Sequence, residues 1–455
     1  MSFETVLIAN RGEIALRVIE ACRELGLRSI VVYSEADASM PYLKLADASV
    51  CIGPPEPAKS YLSIASIISA VELTGAEAIH PGYGFLAENP HFVEVCEEHG
   101  LTFIGPSSAT MRLVGNKEEA RKTVAAVGVP VLPGRLAPES PDELLEAAEE
   151  IGCPLLIKAV YGGGGRGMRF VASLDDVVAA AAAARAEAKA TCGDGSLYLE
   201  KAADRPRHVE VQIFADAGGA VVHLGERECS IQRRHQKMVE EAPAPCLDEA
   251  LRRRLHEAAI LAARATGYVN AGTVEFLIDG EGAFHFVEMN ARIQVEHSVS
   301  EVVTGRNLIK EQLDVARGEP LSFGQDELEL RGHAIECRVT AEDPDRGFAP
   351  SCGTAQVHQL PGGNGVRLDS ALHDGMVVSP HYDSLLAKVM TWGRDREEAR
   401  VRMLTALERF SVSGVATTST FLHDVVSDPA FRRGEITTGL VDQILDQRVE
   451  GAESV

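Results

Sequence analysis

Along the first hundred or so residues, short β-branched apolar runs alternate with segments whose apolar residues recur at helical spacing. Residues 5–9, 28–33, 49–52, 78–79 and 102–104 read as strands, and residues 15–25, 61–73 and 92–98 as helices. Gly26 stands where a helix C-terminus favours a left-handed residue. This alternation predicts a doubly wound parallel sheet covered on both faces. Ligands of such sheets bind beyond the carboxyl ends of the strands. There the sequence places Asn10-Arg11-Gly12-Glu13 and His80-Pro81-Gly82-Tyr83-Gly84-Phe85. Neither is the GxGxxG fingerprint, which disfavours a nicotinamide enzyme.

The rhythm then changes. A helix over residues 117–127 leads into a region punctuated by Pro130, Pro133, Pro138 and Pro141, and a helix over 142–151. Residues 154–160 form a buried strand carrying one lysine, Lys158, followed by a glycine run at 162–167. An alanine-rich helix (175–189) and a strand (197–201) come next. Residues 208–213 alternate, with His208, Glu210 and Gln212 on one face and Val209, Val211 and Ile213 on the other. Helices are predicted over 248–266 and 307–317. From Gly332 onward the chain is mostly short strands (333–339, 354–360, 365–370 and 384–392), closed by two helices at 396–409 and 418–426.

One stretch organises the rest. Residues 272–279 and 283–290 read as a β-hairpin turning at Gly280-Glu281-Gly282. In that register Asp279 opposes Phe284 and Glu275 opposes Glu288, two like charges that repel across a strand pair. A divalent cation between them removes the repulsion, and Asn290, on the same face as Glu288, adds an amide oxygen. Oxygen ligands of this kind suit Mg²⁺ or Mn²⁺, with water and phosphate filling the other positions. Two glutamates alone would make an exposed acidic hairpin. With Asn290, Arg292 and Glu296 in the same run, a metal site is the stronger reading.

Composition narrows the classes. At 455 residues there is chain for about three domains. Hydrophobic residues make up 45% and charged residues 24%, as in a globular protein with ample core. A net charge of −23 argues against nucleic acid or an anionic membrane as partner. A local cluster of cations can still bind an anion. The nine cysteines are scattered, without a CxxC pair, which fits reduced thiols in the cytoplasm. The start is a strand and charged turn rather than a signal peptide, and no apolar run is long enough to span a membrane.

Within this acidic chain, residues 226–237 gather Arg227, Arg233, Arg234, His235 and Lys237, which reads better as a local anion site than as a solvated loop. The glycine run is not a Walker A motif, since the lysine precedes the glycines. Its backbone N–H groups could approach phosphate oxygens. Lys158 in an apolar strand needs an anionic partner, either a nearby acid or a phosphate. Glu200-Lys201, closing another strand, resembles an adenine and ribose edge. Arg338 lies in the alternating strand at 334–339, where an ordinary salt bridge and a functional role are equally open.

IANRGEIALRV, HPGYGFLAEN, FIGP, GGGGRGM, RHVEVQ, ERECSIQRRHQKMVEEAPAP, EMNARIQVEH and RGHAIECRV together resemble the ATP-grasp biotin carboxylases, nearly end to end. The resemblance implies a mixed α/β and α+β architecture. It has an N-terminal domain to about residue 113, a central ATP-grasp domain over 114–331 with a mobile lid near 132–204, and a C-terminal β-rich domain from 332. It also implies roles. Lys117, Lys158, Gly164, Gly165, Glu200, Lys201, Ala203, His208, Gln232, His235, Glu275 and Glu288 would contact ATP. Glu275, Glu288 and Asn290 would hold Mg²⁺ or Mn²⁺ at two sites. Lys237, Arg292, Gln294 and Val295 would bind bicarbonate, with Glu296 as its general base, while Arg338 and Tyr83 would face biotin. The substrate would be biotin on a carrier protein. Carrier and carboxyltransferase are expected on other polypeptides, because no Met-Lys-Met motif appears, and a homodimer is expected. Ala203, Ala291 and Ser298 depart from the residues usual in that family.

Three readings compete. The leading one is the biotin carboxylase subunit of an acetyl- or acyl-CoA carboxylase, with pyruvate or propionyl-CoA as alternative acceptors. A different ATP-grasp carboxylate–amine ligase is disfavoured by RIQVEH. A nucleotide-binding subunit without turnover is disfavoured because no proposed catalytic position is lost.

Overall fold

A computed structural model describes residues 2–160 and 168–453. Strands β1 (Thr5–Ile8), β2 (Arg28–Tyr33), β3 (Ala48–Cys51), β4 (Ala78–His80) and β5 (Thr102–Phe103) form a parallel sheet in the order β3-β2-β1-β4-β5. Successive residues of β1 serve opposite faces. Val6 and Ile8 pack on helix α1 (Gly12–Glu24) through Ile14, Val18 and Ile19, while Leu7 packs on the other side with Ile67, Val71 and Phe92. That double burial explains why the strands are unbroken apolar runs. The helix expected from residue 61 starts at Ile64, because the Ser63 side chain accepts from the backbone N–H of Ser66 and caps it.

A second, smaller sheet holds β6 (Gly134–Leu136), β7 (Leu155–Ala159), β8 (Arg169–Val171) and β9 (Leu197–Lys201), in the order β6-β9-β7-β8. Helices Pro141–Ile151 and Val177–Cys192 cover it and share a separate core built on Leu144, Leu155, Ile157, Ala184 and Leu199. The glycine run, with Gly164 and Gly165, lies outside the described residues.

The largest sheet positions the site. It comprises β10 (Arg207–Ala215), β11 (Val221–Arg233), β12 (Gln236–Ala242), β13 (Asn270–Ile278), β14 (Phe284–Asn290) and β15 (His333–Thr340), followed by strands Leu385–Gly393 and Val366–Ser370. Its order is β14-β13-β10-β11-β12-β15, then Leu385–Gly393 and Val366–Ser370. Strands from the C-terminal third, expected as a separate β-rich domain from residue 332, therefore extend the central sheet. The chain also closes with more helix than expected. After Ser419–Ser427 come Pro429–Arg433 and Leu440–Glu453. Leu440, Val441 and Ile444 are buried against Phe421, Val425 and Phe431, so a short amphipathic pattern is completed by tertiary packing. A further helix, Ser108–Gly115, precedes Lys117. No helix among the described residues is long and apolar enough to cross a membrane.

The β13–β14 hairpin departs from its expected register near the turn. Ile278, not Asp279, opposes Phe284, and Asp279 pairs with Ala283 through its backbone N–H. A β-bulge between Glu275 and Phe276 absorbs one residue of β14, so that Glu275 still opposes Glu288 and Thr273 opposes Asn290. Without it the turn would place Glu288 on the opposite face.

Candidate active site

Four adjacent strands carry a row of charges on one face. Arg227 on β11 opposes Glu210 on β10, Glu210 opposes Glu275 on β13, and Glu275 opposes Glu288 on β14. Like charges in register this close need cations between or beside them. Arg227, fully buried, donates to Glu210 at 2.5 Å and reaches Gln212, Thr273 and Ser300. Lys237 on β12 places its Nζ 2.5 Å from Glu210, 2.9 Å from Glu275 and 2.8 Å from Glu296. Burial opposes the charge on Lys237, but these three carboxylates outweigh it and hold the ammonium well above its ordinary pKa. His208 Nε2 lies 2.9 Å from the other oxygen of Glu275. Burial likewise opposes ionisation of Glu275, and Lys237 and His208 win, keeping it well below the usual carboxylate range.

Beyond the row, Glu296 is wholly buried between Lys237 and Arg338, whose Nη2 is 2.8 Å from its second oxygen. Burial is again outweighed, by Lys237, Arg338 and Arg227, which hold Glu296 well below the usual carboxylate range. Arg292 donates to Glu88 at 2.8 Å and to Gln294 at 2.8 Å. The Val295 carbonyl accepts from Lys388. Asn290 turns its NH₂ toward Glu275 at 2.9 Å, with its oxygen 3.5 Å from Arg292. Glu288 pairs with Lys117 at 3.3 Å. Two opposed carboxylates and a neighbouring amide form an all-oxygen donor set once that amide is turned over, which fits Mg²⁺ or Mn²⁺.

The remaining predicted residues lie on two margins. Lys158 donates to Glu200, which also accepts from Arg121, so an acid of the neighbouring strand meets the lysine in this structure. Arg121 in turn reaches the Phe286 carbonyl on β14, tying the smaller sheet to the larger. The Lys201 ammonium points back to the carbonyls of Gly152 and Cys153, so its side chain is committed within the smaller sheet. Ala203 is half-buried just after β9. Gln232, buried on β11, opposes Lys237 on β12, and His235 sits exposed at the β11–β12 turn with φ 65°. On the other margin Tyr83 donates to Glu13. Glu88 and Arg121 were not singled out from the sequence, where Glu13 and Glu210 appear only within a strand-end segment and an alternating strand and carry no role of their own. The signal for Glu210 was present in its alternating strand beside His208, but its importance depends on cross-strand register.

Family models match most of the chain: a biotin carboxylase N-terminal domain at 2–111, a carbamoyl-phosphate synthase L chain ATP-binding domain at 116–323, and a biotin carboxylase C-terminal domain at 336–443. The chain belongs to the biotin carboxylase family. It is 50% identical to the biotin carboxylase of a Nostoc species, over 98% of this chain and 100% of that one. It is also 49% identical to one of the pyruvate carboxylase subunits of Methanothermobacter thermautotrophicus, over 97% of this chain and 90% of that one. Among solved structures, the Campylobacter jejuni biotin carboxylase β-γ-ATP complex superposes with a TM-score of 0.94 at 46% identity, covering 97% of this chain and 99% of that one. The biotin carboxylase domain dimer of Hydrogenobacter thermophilus 2-oxoglutarate carboxylase, solved with MgADP, ADP and bicarbonate, gives 0.94 at 44% identity, covering 97% and 98%. As a biotin carboxylase family member with an ATP-grasp domain, the chain is an ATP-dependent ligase.

Proposed function

We propose that this chain carboxylates biotin on a carrier protein with ATP and bicarbonate, through carboxyphosphate, as the first half-reaction of an acetyl- or acyl-CoA carboxylase supplying fatty acid synthesis. The observation that carries this reading is Glu296 held between Lys237 and Arg338 beside the Glu275–Glu288 pair. ATP would lie between the smaller sheet and the acid row, contacted by Lys117, Lys158, His208, His235 and the edge at 200–203. Mg²⁺ or Mn²⁺ on Glu275, Glu288 and Asn290 would neutralise charge on the phosphates. The assigned domains run 1–113, 114–331 with a lid near 132–204, and 332–455; the family-model matches fall within these bounds.

Electrostatics then order the steps. With both its oxygens engaged by cations, Glu296 is a weak base. Bicarbonate binding at Lys237, Arg292, Gln294 and the Val295 backbone would draw Lys237 toward the substrate, and Arg338 would turn to the biotin ureido oxygen. Glu296, stripped of partners in a dry site, gains basicity and removes the bicarbonate proton. Phosphoryl transfer is mostly positioning and charge stabilisation. Closure of the lid would keep carboxyphosphate from water. Carboxyphosphate releases CO₂ beside biotin, the phosphate takes the ureido N1 proton, and Arg338 stabilises the oxyanion, with Tyr83 beside the ring.

Free biotin with bicarbonate should stimulate ADP release from the metal-loaded enzyme; no stimulation would end this reading. Likeness to the archaeal pyruvate carboxylase protein keeps pyruvate as an alternative final acceptor. Co-purification of the carboxyltransferase decides between them. We also infer a cytoplasmic location and a homodimer, the latter tested by sedimentation at micromolar concentration.

A further inference from the structure

Glu240 on β12 and Glu336 on β15 are opposed directly across the sheet, and both are wholly buried. The proposed mechanism uses neither. Two carboxylates in register and out of water repel strongly, and both stay ionised only with ample positive charge. Facing the pair are Arg338 on β15, Lys237 on β12, Lys388 on the adjoining strand, Glu296 before helix His297–Thr304, and the buried thiol Cys229, while the buried thiol Cys337 lies on the other face of β15. The cations are already divided. Lys237 serves Glu210, Glu275 and Glu296, and Lys388 lies 3.1 Å from Glu13 and 3.6 Å from Asp369. Arg338 stands 2.6 Å from Glu240 and 2.8 Å from Glu296. Ser298 donates to Glu336 Oε2, whereas Glu336 Oε1 and Glu240 Oε2 have no hydrogen-bond partner among the described residues.

We propose that Glu240 and Glu336 share one proton and act together as positioning residues for Arg338. While the pair carries a single negative charge, Arg338 is divided between Glu240 and Glu296 and can turn to substrate. When the shared proton is lost, the doubled charge draws Arg338 to Glu240 and withdraws it from the reaction. The electrostatics agree in direction: burial raises both carboxyls from the ordinary range, Glu240 to about 7 and Glu336 to about 8. Only the kinetic consequence rests on the biotin carboxylation reading; the shared proton does not.

Two measurements on the full-length enzyme test this. Infrared difference spectra between mildly acidic and alkaline pH should contain a protonated-carboxyl band that titrates near neutrality and disappears in both Glu336→Gln and Glu240→Gln. A wild-type spectrum without that band, or one unchanged in folded variants, overturns the proposal whatever the enzyme's substrate. In the second, kcat/KM for biotin is followed against pH. The wild type should lose activity on the alkaline side, and Glu336→Gln should move that limb up by about one pH unit or more, with KM for ATP unchanged. A uniform loss of rate with the limb in place would mean a purely structural role and would overturn the positioning claim.

Discussion

At the scale of single residues, partners decide which charges can do chemistry. Glu296 has no side-chain freedom to spare, bound as it is by Lys237 and Arg338. Glu296→Gln keeps its shape and loses its basicity. Bicarbonate-dependent turnover should fall by roughly 10²–10⁴-fold, while titration calorimetry shows ATP still binding. Arg227 is different in kind. It is the largest fully buried side chain among the described residues and neutralises Glu210 from the side away from Lys237. Arg227→Met leaves that carboxylate to Lys237 alone, which Glu275 and Glu296 already share, and should cost about 3–5 kcal/mol, read as a lower midpoint in urea. Away from the site, Glu226 shows the same logic as a pH effect. Burial opposes its charge, but His256 at 2.7 Å and Arg252 at 2.9 Å hold it down to about 2. A folded pKa below the unfolded value means a stability contribution that is complete above pH ~4.3 and is lost as pH falls toward the folded value. Glu226→Gln should be less stable at neutral pH and lose less on acidification, as acid titration followed by circular dichroism will report.

Elements set the register in which those residues meet. Alternation in β10 and the β13–β14 hairpin shows which residues share a face, and the Glu275–Glu288 opposition follows from sequence reasoning. The reason it follows is instructive. The turn closes one residue earlier than expected, and the bulge in β14 cancels that shift before Glu288. Both departures are local backbone choices with little side-chain signature, and each alone would have turned Glu288 away. The row from Arg227 to Glu288 was harder to see, because it needs the order β11-β10-β13-β14, in which chain neighbours are not all sheet neighbours. If the opposed acids take a divalent ion, Glu288→Gln should weaken Mn²⁺ binding in the presence of ADP on the order of tenfold or more. Calorimetric affinity equal to wild type would remove Glu288 from the ligand set.

Across the whole molecule, one buried lysine links the three parts of the chain. Lys388 has 0% exposure, yet touches Glu13 from α1, the Val295 carbonyl beside Glu296, and Asp369 on strand Val366–Ser370. Asp369 also meets Arg367, which binds Glu301 together with Arg17. Lys388→Met should destabilise by about 3–5 kcal/mol and lower the thermal midpoint, because Glu13 and Asp369 are left short of charge in a dry interior. Nothing in the sequence marks this lysine: it sits in an apolar strand like many salt-bridged residues. The apolar rhythm by itself determined the parallel N-terminal sheet, most helices and the faces on which charged residues stand. Periodicity is a local property, set by a residue's own strand or helix and its buried side. Only the tertiary structure decided that strands of the C-terminal third extend the central sheet, bringing Arg338 to Glu240 and Glu296, and Glu336 to Glu240. Pairing between segments far apart in the chain is selected by summed burial and charge compensation, which no single stretch of sequence contains.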